Sequence, residues 1–455
     1  MSESQSTPVM DLVKKMLEKY PICDHCLGRQ FAWLSTRTSN LERGRSLKLV
    51  LSMMADASIR NEEKSHGQKL LHILAENGMH EPAKALCVKN KIDFETITIC
   101  HLCQKSEKSV YDMIPSIAER AMEYTKSIEF GSFLVGSVPD AILSERQDEI
   151  RSQFGLLNAE TLKSDFNREL GKQIGVILDK TVDFDRPDLV IVYNMSEDSL
   201  SIQINPIFIF GRYRKLERGI PQSKWDCSEC KGKGCSSCND TGRRYPDSIS
   251  EYVGIPTRTS TKGKKFKFHA AGREDVDALM LGDGRPFVVE ISEPEVRTPD
   301  LHKLRETINK EADGKIEVSI LEFSDRKTGQ ALKEDAANNI KEYKALIRTE
   351  VEVSDDSLRN AEKDLLDIII EQRTPHRVSH RRSDLVRKKK VYEVKLSRHG
   401  DLMLEGHFKV QGGAYIKELI SGDEGRTIPS IASILGTACV CTELNVTAIY
   451  SDRSL

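Results

Sequence analysis

The stretch Gly272-Arg273-Glu274-Asp275 is where this chain is best equipped for chemistry, because it sets one carboxylate, Asp275, just past a glycine. An ionised aspartate held this way can act as nucleophile or base. Alone, a Gly-Arg-x-Asp step fits a surface turn as readily as a catalytic site. Two downstream pieces strengthen the catalytic reading: Lys341-Glu342-Tyr343-Lys344-Ala345-Leu346 and Gly413-Ala414-Tyr415-Ile416-Lys417-Glu418, each embedded in what reads as strand. Tyr343 and Tyr415 offer aromatic faces with a polar tip. Asp277 shares an extended face with Asp275 and is expected to anchor backbone.

Cysteine supplies the second chemistry. Eight of the 11 cysteines fall in four Cys-x-x-Cys pairs, which is metal usage rather than disulfide usage in a reducing compartment. Cys23/Cys26 and Cys100/Cys103 can close one tetrahedral Cys₄ site across the intervening helices. Cys227/Cys230 and Cys235/Cys238 form a tighter knuckle, Cys-x-x-Cys-x-Gly-x-Gly-Cys-x-x-Cys, whose glycines let backbone N–H groups bend toward sulfur. A labile or degenerate knuckle is the alternative there. Neither set leaves an open coordination position, so structural Zn²⁺ is expected, one ion at the first quartet and a second at the knuckle.

The elements that must carry these residues read as follows. Helical spacing begins after Thr7-Pro8 and recurs over 41–54 and 68–76, with Gly78 as a terminator. From about 109 to 218 helices alternate with apolar strands at 133–136, 189–193 and 202–210, which suggests an α/β layer. Strands at 287–291 and 316–323 and a helix over 357–371 follow the knuckle. The chain is long enough for several domains, and the expected division is a helical zinc-binding region at 1–110, an α/β domain at 111–220, the knuckle at 221–246 and a domain carrying the candidate catalytic residues at 247–455.

Charge and hydropathy narrow the classes. With 38% hydrophobic and 30% charged residues and no apolar run of membrane length, the composition is that of a globular protein, and the polar start has no signal-peptide pattern, so a cytoplasmic protein is expected, with a monomer as the default state. The net charge of −2 means that any nucleic-acid site must be local. Three basic clusters qualify, one within 373–390, one at Arg212, Arg214, Lys215 and Arg218, and one at Lys262, Lys264, Lys265 and Lys267. Because they flank the catalytic pieces, they are expected to contact phosphate.

Taken together, Gly272 to Asp277, Gly284-Arg285-Pro286-Phe287, Thr374-Pro375-His376-Arg377-Val378 with His380-Arg381-Arg382, and Gly422-Asp423-x-Gly425-Arg426-Thr427-x-Pro429-Ser430 make the chain resemble the archaeal tRNA pseudouridine-54/55 synthases over most of its length. The continuation Ala278-Leu279-Met280 is less polar than that pattern. The resemblance implies an α+β protein: an N-terminal zinc-binding and THUMP-like α/β accessory region, then a catalytic domain with a mixed, mainly antiparallel sheet. It implies isomerisation of uridines 54 and 55 in the TΨC loop of tRNA, with no redox, nucleotide or group-carrying cofactor and no membrane partner. The THUMP-like region is expected to engage the acceptor end.

By the same resemblance Asp275 is the catalytic aspartate, acting on the sugar, the base or a sugar proton. Lys417 is its basic partner, a cation that keeps the aspartate charged in a water-poor pocket. Tyr343 stacks on the uracil and offers a general base, Tyr415 contacts substrate, and Ile416 and Leu444 form apolar wall. Arg273 either holds the extruded nucleotide's phosphate or fills the vacated place in the loop. Two rivals remain, a non-catalytic zinc-containing tRNA-binding protein and a THUMP-bearing methyltransferase. The second lacks its cofactor loop, since Gly282-Asp283-Gly284 precedes a strand instead of following one.

Overall fold

The computed structural model describes residues 8–61, 63–104, 107–335, 339–381 and 383–450. Two compact units divide the chain, residues 1–205 and 206–455. The division falls earlier than the expected 220, for a reason the strands supply.

The first unit begins with five helices, α1 (Val9–Lys19), α2 (Asp24–Arg29), α3 (Asn40–Arg60), α4 (Lys64–Ala75) and α5 (Glu81–Lys89). A Ser39–Glu42 capping box starts α3. Helices α2 and α3 meet backbone to backbone through Gly28 and Gly44, where a side chain would have no room: a Cβ on Gly44 would lie 1.8 Å from the Asp24 carbonyl oxygen. Then come α6 (Ile114–Thr125), β1 (Ser132–Val138), α7 (Ala141–Phe154), α8 (Leu162–Leu178), β2 (Thr181–Val182), β3 (Leu189–Asn194) and β4 (Ser199–Ile204). The sheet order is β2-β1-β3-β4, parallel except for β3–β4. Alternate residues of β1 and β3 are buried, and α8 packs its apolar face, Phe166, Leu170 and Ile174, into the same core.

The apolar run 202–210, expected as one strand, is broken at Asn205-Pro206. Its first part closes the small sheet as β4, and its second part opens β5 (Ile207–Lys215), which lies inside the ten-stranded sheet of the second unit. Proline has no N–H for a ladder, and the chain changes sheets there.

The second unit continues with α9 (Ile249–Ser260), β6 (Lys265–Ala270), β7 (Ala278–Ser292), α10 (Leu301–Glu311), β8 (Ile316–Ser324), α11 (Arg326–Asp335), β9 (Ile340–Thr349), α12 (Asp355–Asp364), β10 (Ile368–Arg373), β11 (Val386–Gly400), β12 (Met403–Gln411), α13 (Ile416–Ser421), β13 (Thr427–Ile428), α14 (Ile431–Leu435) and β14 (Cys439–Tyr450). The helix expected over 357–371 stops at Asp364, and the β-branched residues Ile368, Ile369 and Ile370 go into β10 instead. The path β13-β10-β11-β12-β9-β14-β7-β5-β8 is antiparallel except for β14–β7.

Strand β7 forks the sheet. Along one edge its C-terminal half, residues 287–292, pairs with β6, while its first residues, Ala278 to Met280, pair with Leu444 to Val446 of β14. The loop 271–277 joins β6 to β7 at this fork, and Asp275 sits on it. No described helix is long and apolar enough to cross a membrane.

Candidate active site

The loop that carries Asp275 is bolted down from beneath. Gly272 has φ +81°, a conformation glycine adopts without strain, and its carbonyl accepts from Gln222 Nε2 at 2.9 Å. Glu274, the unspecified residue of the sequence step, points into the protein, where it meets Arg285 Nε at 2.8 Å and receives the Tyr213 hydroxyl at 3.0 Å. Both charged side chains are 1% exposed, and Arg285 also donates to the Ala271 carbonyl at 2.7 Å. Lys215, fully buried, donates to the carbonyls of Ile220, Asp275 and Val276 at 3.0–3.1 Å. Arg218 reaches the carbonyls of Asp277 at 2.6 Å and Leu444 at 2.9 Å, fastening the loop to β14.

These contacts overturn the phosphate reading of the Arg212–Arg218 cluster. Arg212 donates to the Gly284 carbonyl, Arg214 pairs with Glu317, and Lys215 and Arg218 hold the loop. Positive charge is legible in the sequence; that alternate residues of β5 face inward is not. The lysines at 262, 264 and 267 are exposed and paired with Glu295, Glu293 and Glu290. Arg382 of the third cluster lies outside the described residues, as do the side chains of His380 and Arg381.

Asp275 itself opens toward solvent, 35% exposed, with two cations before it. Arg377 Nη1 donates to one carboxylate oxygen at 3.0 Å, and Lys417 Nζ stands 3.8 Å from the other. Arg377 is the nearer partner, and Lys417 makes its shorter bond, 2.6 Å, to Asp277. The expected roles of Lys417 and Asp277 are therefore shared out differently. Asp277 binds the lysine, and although burial works against its charge, that bond holds its carboxyl below the usual range. Lys417 lies not on a strand but in the first turn of α13, which begins just after Tyr415.

Arg377, expected only as a phosphate contact within the 373–390 cluster, is fixed instead from behind by Glu418, Nε to Oε1 at 2.6 Å. Burial disfavours its charge, but Glu418 and Asp275 outweigh it and hold the guanidinium firmly protonated. Nothing in the sequence marks Arg377 as the partner of Asp275 among the basic residues of 373–390, because its selection comes from the short 3-10 turn 376–381 that swings it over the loop.

A cleft of about 1140 Å³ opens over the carboxylate, lined by Arg273, Asp275, Tyr343, Tyr415, Ile416 and Leu444 among others. Every expected catalytic or substrate-binding residue except Lys417 thus faces one cavity, and Lys417 reaches its edge through Asp275. Tyr343 comes from the centre of β9, paired with Phe408 and Val446. Burial above all, with the negative charge of Asp275 adding to it, pushes its phenol up to about 12, so the ring enters the site as a neutral phenol. Tyr415 is clamped by Gln372, whose amide donates to its carbonyl at 2.9 Å and accepts from its N–H at 2.8 Å. Ile416 and Leu444 are buried apolar wall, and Arg273 stands at the rim. Lys341, on the same strand as Tyr343 and 5% exposed, also lines the cleft, and burial followed by the charge of Arg285 lowers its amine to about 7.

Two four-cysteine clusters could each hold a metal ion, Cys23, Cys26, Cys100 and Cys103 in the first unit and Cys227, Cys230, Cys235 and Cys238 in the second. Sulfur pairs lie 3.6–3.9 Å apart, too far for a disulfide and close to the edge of a tetrahedron with metal–sulfur bonds of about 2.3 Å. Backbone N–H groups of Gly234, Cys235 and Gly242 point at the knuckle sulfurs at 3.2–3.3 Å, and Cys23 N and Ser109 Oγ do so in the first cluster. Such donors suit thiolates that share a cation.

Comparison with known proteins agrees with this architecture. Residues 208–450 match the family model "Pus10, C-terminal", and residues 117–194 match "Pus10 THUMP domain, archaeal". The chain is 43% identical to the tRNA pseudouridine synthase Pus10 of Methanocaldococcus jannaschii, over 97% of this chain and 94% of that protein. It is 39% identical to the protein of the same name from Methanothrix thermoacetophila, over 95% and 92%, and 37% identical to that from Methanopyrus kandleri, over 96% and 98%. The forked, mainly antiparallel sheet around a carboxylate-bearing loop is thus that of an isomerase of the pseudouridine synthase class. Within that class the chain belongs to the Pus10 family, in its THUMP-containing archaeal form.

Proposed function

We propose that this chain converts uridines 54 and 55 of the tRNA TΨC loop to pseudouridine in the cytoplasm, with Asp275 as the catalytic carboxylate. The observation that carries the reading is Asp275 at the floor of the cleft, with Arg377 at 3.0 Å and Lys417 at 3.8 Å and the ring of Tyr343 in the same cavity. The isomerisation breaks the bond from uracil N1 to the sugar and makes one from C5, with a proton leaving C5 and one taken up at N1. The site therefore needs a charge-stabilised carboxylate beside the sugar and a wall that retains a free base. Arg377 and Lys417 orient the carboxylate, Tyr343 and Tyr415 offer faces to the uracil, and Ile416 and Leu444 exclude water. The cleft exceeds the roughly 300–1,000 Å³ of small-molecule pockets, which suits a nucleotide still joined to its neighbours. Arg273 at the rim is read as an RNA contact. The THUMP region is read as holding the acceptor end, and both cysteine quartets as structural zinc sites.

Carbodiimide adduct mapping by primer extension tests this on an unmodified tRNA transcript. Wild-type protein should yield stops reporting both positions, while Asp275→Ala yields none and binds the transcript within a few fold. Activity in Asp275→Ala would remove the catalytic assignment, and stops at a single position would narrow the substrate claim.

A further inference from the structure

The knuckle does more than cap a loop, because its two stems bring an aromatic and basic cluster to the catalytic cleft. Trp225 stands two residues before Cys227, and Arg244 and Tyr245 follow the last ligand, Cys238. The stems are clipped by Arg244 N to the Trp225 carbonyl at 3.0 Å, Cys227 N to the Gly242 carbonyl at 2.8 Å and an isolated bridge between Asp226 and Arg243. The rings of Trp225 and Tyr245 meet edge to face, 5.5 Å between centroids and 74° between planes. The Arg244 guanidinium lies 5.4 Å from the first ring and 5.8 Å from the second. All three residues line the same cavity as Asp275 and Tyr343. Arg244 is exposed and both rings are half-buried, so they present faces to the cleft instead of filling a core.

We propose that Trp225, Arg244 and Tyr245 form a stacking platform for a nucleobase that flanks the one over Asp275, held in place by the metal-closed knuckle. This rests on the reading of the substrate as RNA. Aromatic faces and guanidinium planes are the groups on which unpaired bases stack, whatever their sequence, and a loop nucleotide beside an extruded uridine has lost its own stacking partner. A cleft too large for one uracil leaves room for that neighbour. The knuckle then acts as a positioning element, since loss of its metal frees both stems at once and scatters the three side chains.

The chain has two tryptophans, Trp33 and Trp225, so full-length Trp33→Phe makes Trp225 the single tryptophan reporter. Titration with an unmodified tRNA transcript should quench that emission through base stacking. In steady-state pseudouridine formation, Trp225→Ala should raise KM by roughly 5- to 150-fold, the loss of one stacked base, with kcat changed much less. Trp225→Phe should restore KM, and zinc content should equal wild type in both variants. Unchanged fluorescence and unchanged KM in an active enzyme would overturn the platform and leave the isomerase reading standing. A KM defect that Phe does not rescue and that follows zinc loss would overturn it as well, in favour of a purely structural tryptophan. No pseudouridine and no transcript binding by wild type would overturn both readings together.

Discussion

The buried pair Glu274–Arg285 offers the sharpest test of how the loop that carries Asp275 is held. Both side chains are 1% exposed, the pair is 2.8 Å apart, and Glu274 also takes the Tyr213 hydroxyl, while Arg285 supports the Ala271 carbonyl. Removing one partner leaves an uncompensated buried charge, which costs about 3–5 kcal/mol. Glu274→Gln and Arg285→Met should each lower stability by that order. The double variant should be less damaging than the sum of the two, because an uncharged pair carries no desolvation penalty. With two compact units in the chain, the assay is urea denaturation followed by hydrogen exchange in peptides from 207–215 and 278–292, which report the second unit alone. The same variants should depress kcat for pseudouridine formation, since the loop carries Asp275. Additive effects of the two substitutions, or exchange unchanged in those peptides, would refute the claim that this pair clamps the loop.

Arg377→Lys keeps a cation but loses the fork that bridges Asp275 and Glu418, so kcat should fall by roughly tenfold or more while transcript affinity stays near wild type; an unchanged kcat would make Lys417 the sole partner that matters. Lys341 is lowered in the folded state to about 7 from 10.5, so the unfolded chain binds the extra proton between those values and stability rises with pH through that window. With a full slope of about 1.36 kcal/mol per pH unit that is only half developed at pH 7, Lys341→Met should be more stable than wild type at pH 7 and lose about 2 kcal/mol of that lead by pH 9, measured by denaturant titration at both pH values; a constant difference argues that the amine keeps its proton. Gly44→Ala drives a Cβ against the Asp24 carbonyl, and neither backbone can yield, so the first cysteine site should bind zinc more weakly and α2–α3 should melt earlier, read by metal release to a chromogenic chelator and by circular dichroism. Wild-type zinc retention in Gly44→Ala would show that the helices tolerate separation.

Much of the site is legible in the residues alone. Four Cys-x-x-Cys pairs state their own chemistry, and local spacing is enough to aim two thiolates at one ion. Asp275, Tyr343, Tyr415 and Ile416 stand in motifs, Leu444 comes only with the family resemblance, and all of them face one cavity. Which cation serves the aspartate is not readable, because Arg377 lies 102 residues away and is aimed by a short turn and by Glu418, neither of which has a sequence period. The basic cluster on β5 misleads for a related reason: charge is a property of composition, but whether a lysine meets phosphate or three backbone carbonyls depends on which side of a strand is covered. Local pattern in the chain therefore suffices for the cysteine pairs that could hold a metal and for the catalytic candidate. It does not reach the switch of sheets at Asn205-Pro206, the burial of Glu274 and Arg285 beneath Asp275, or the delivery of Trp225 to the cleft by the knuckle. Each of these comes from packing and strand pairing between segments far apart in the chain, which leave no periodic mark in either segment.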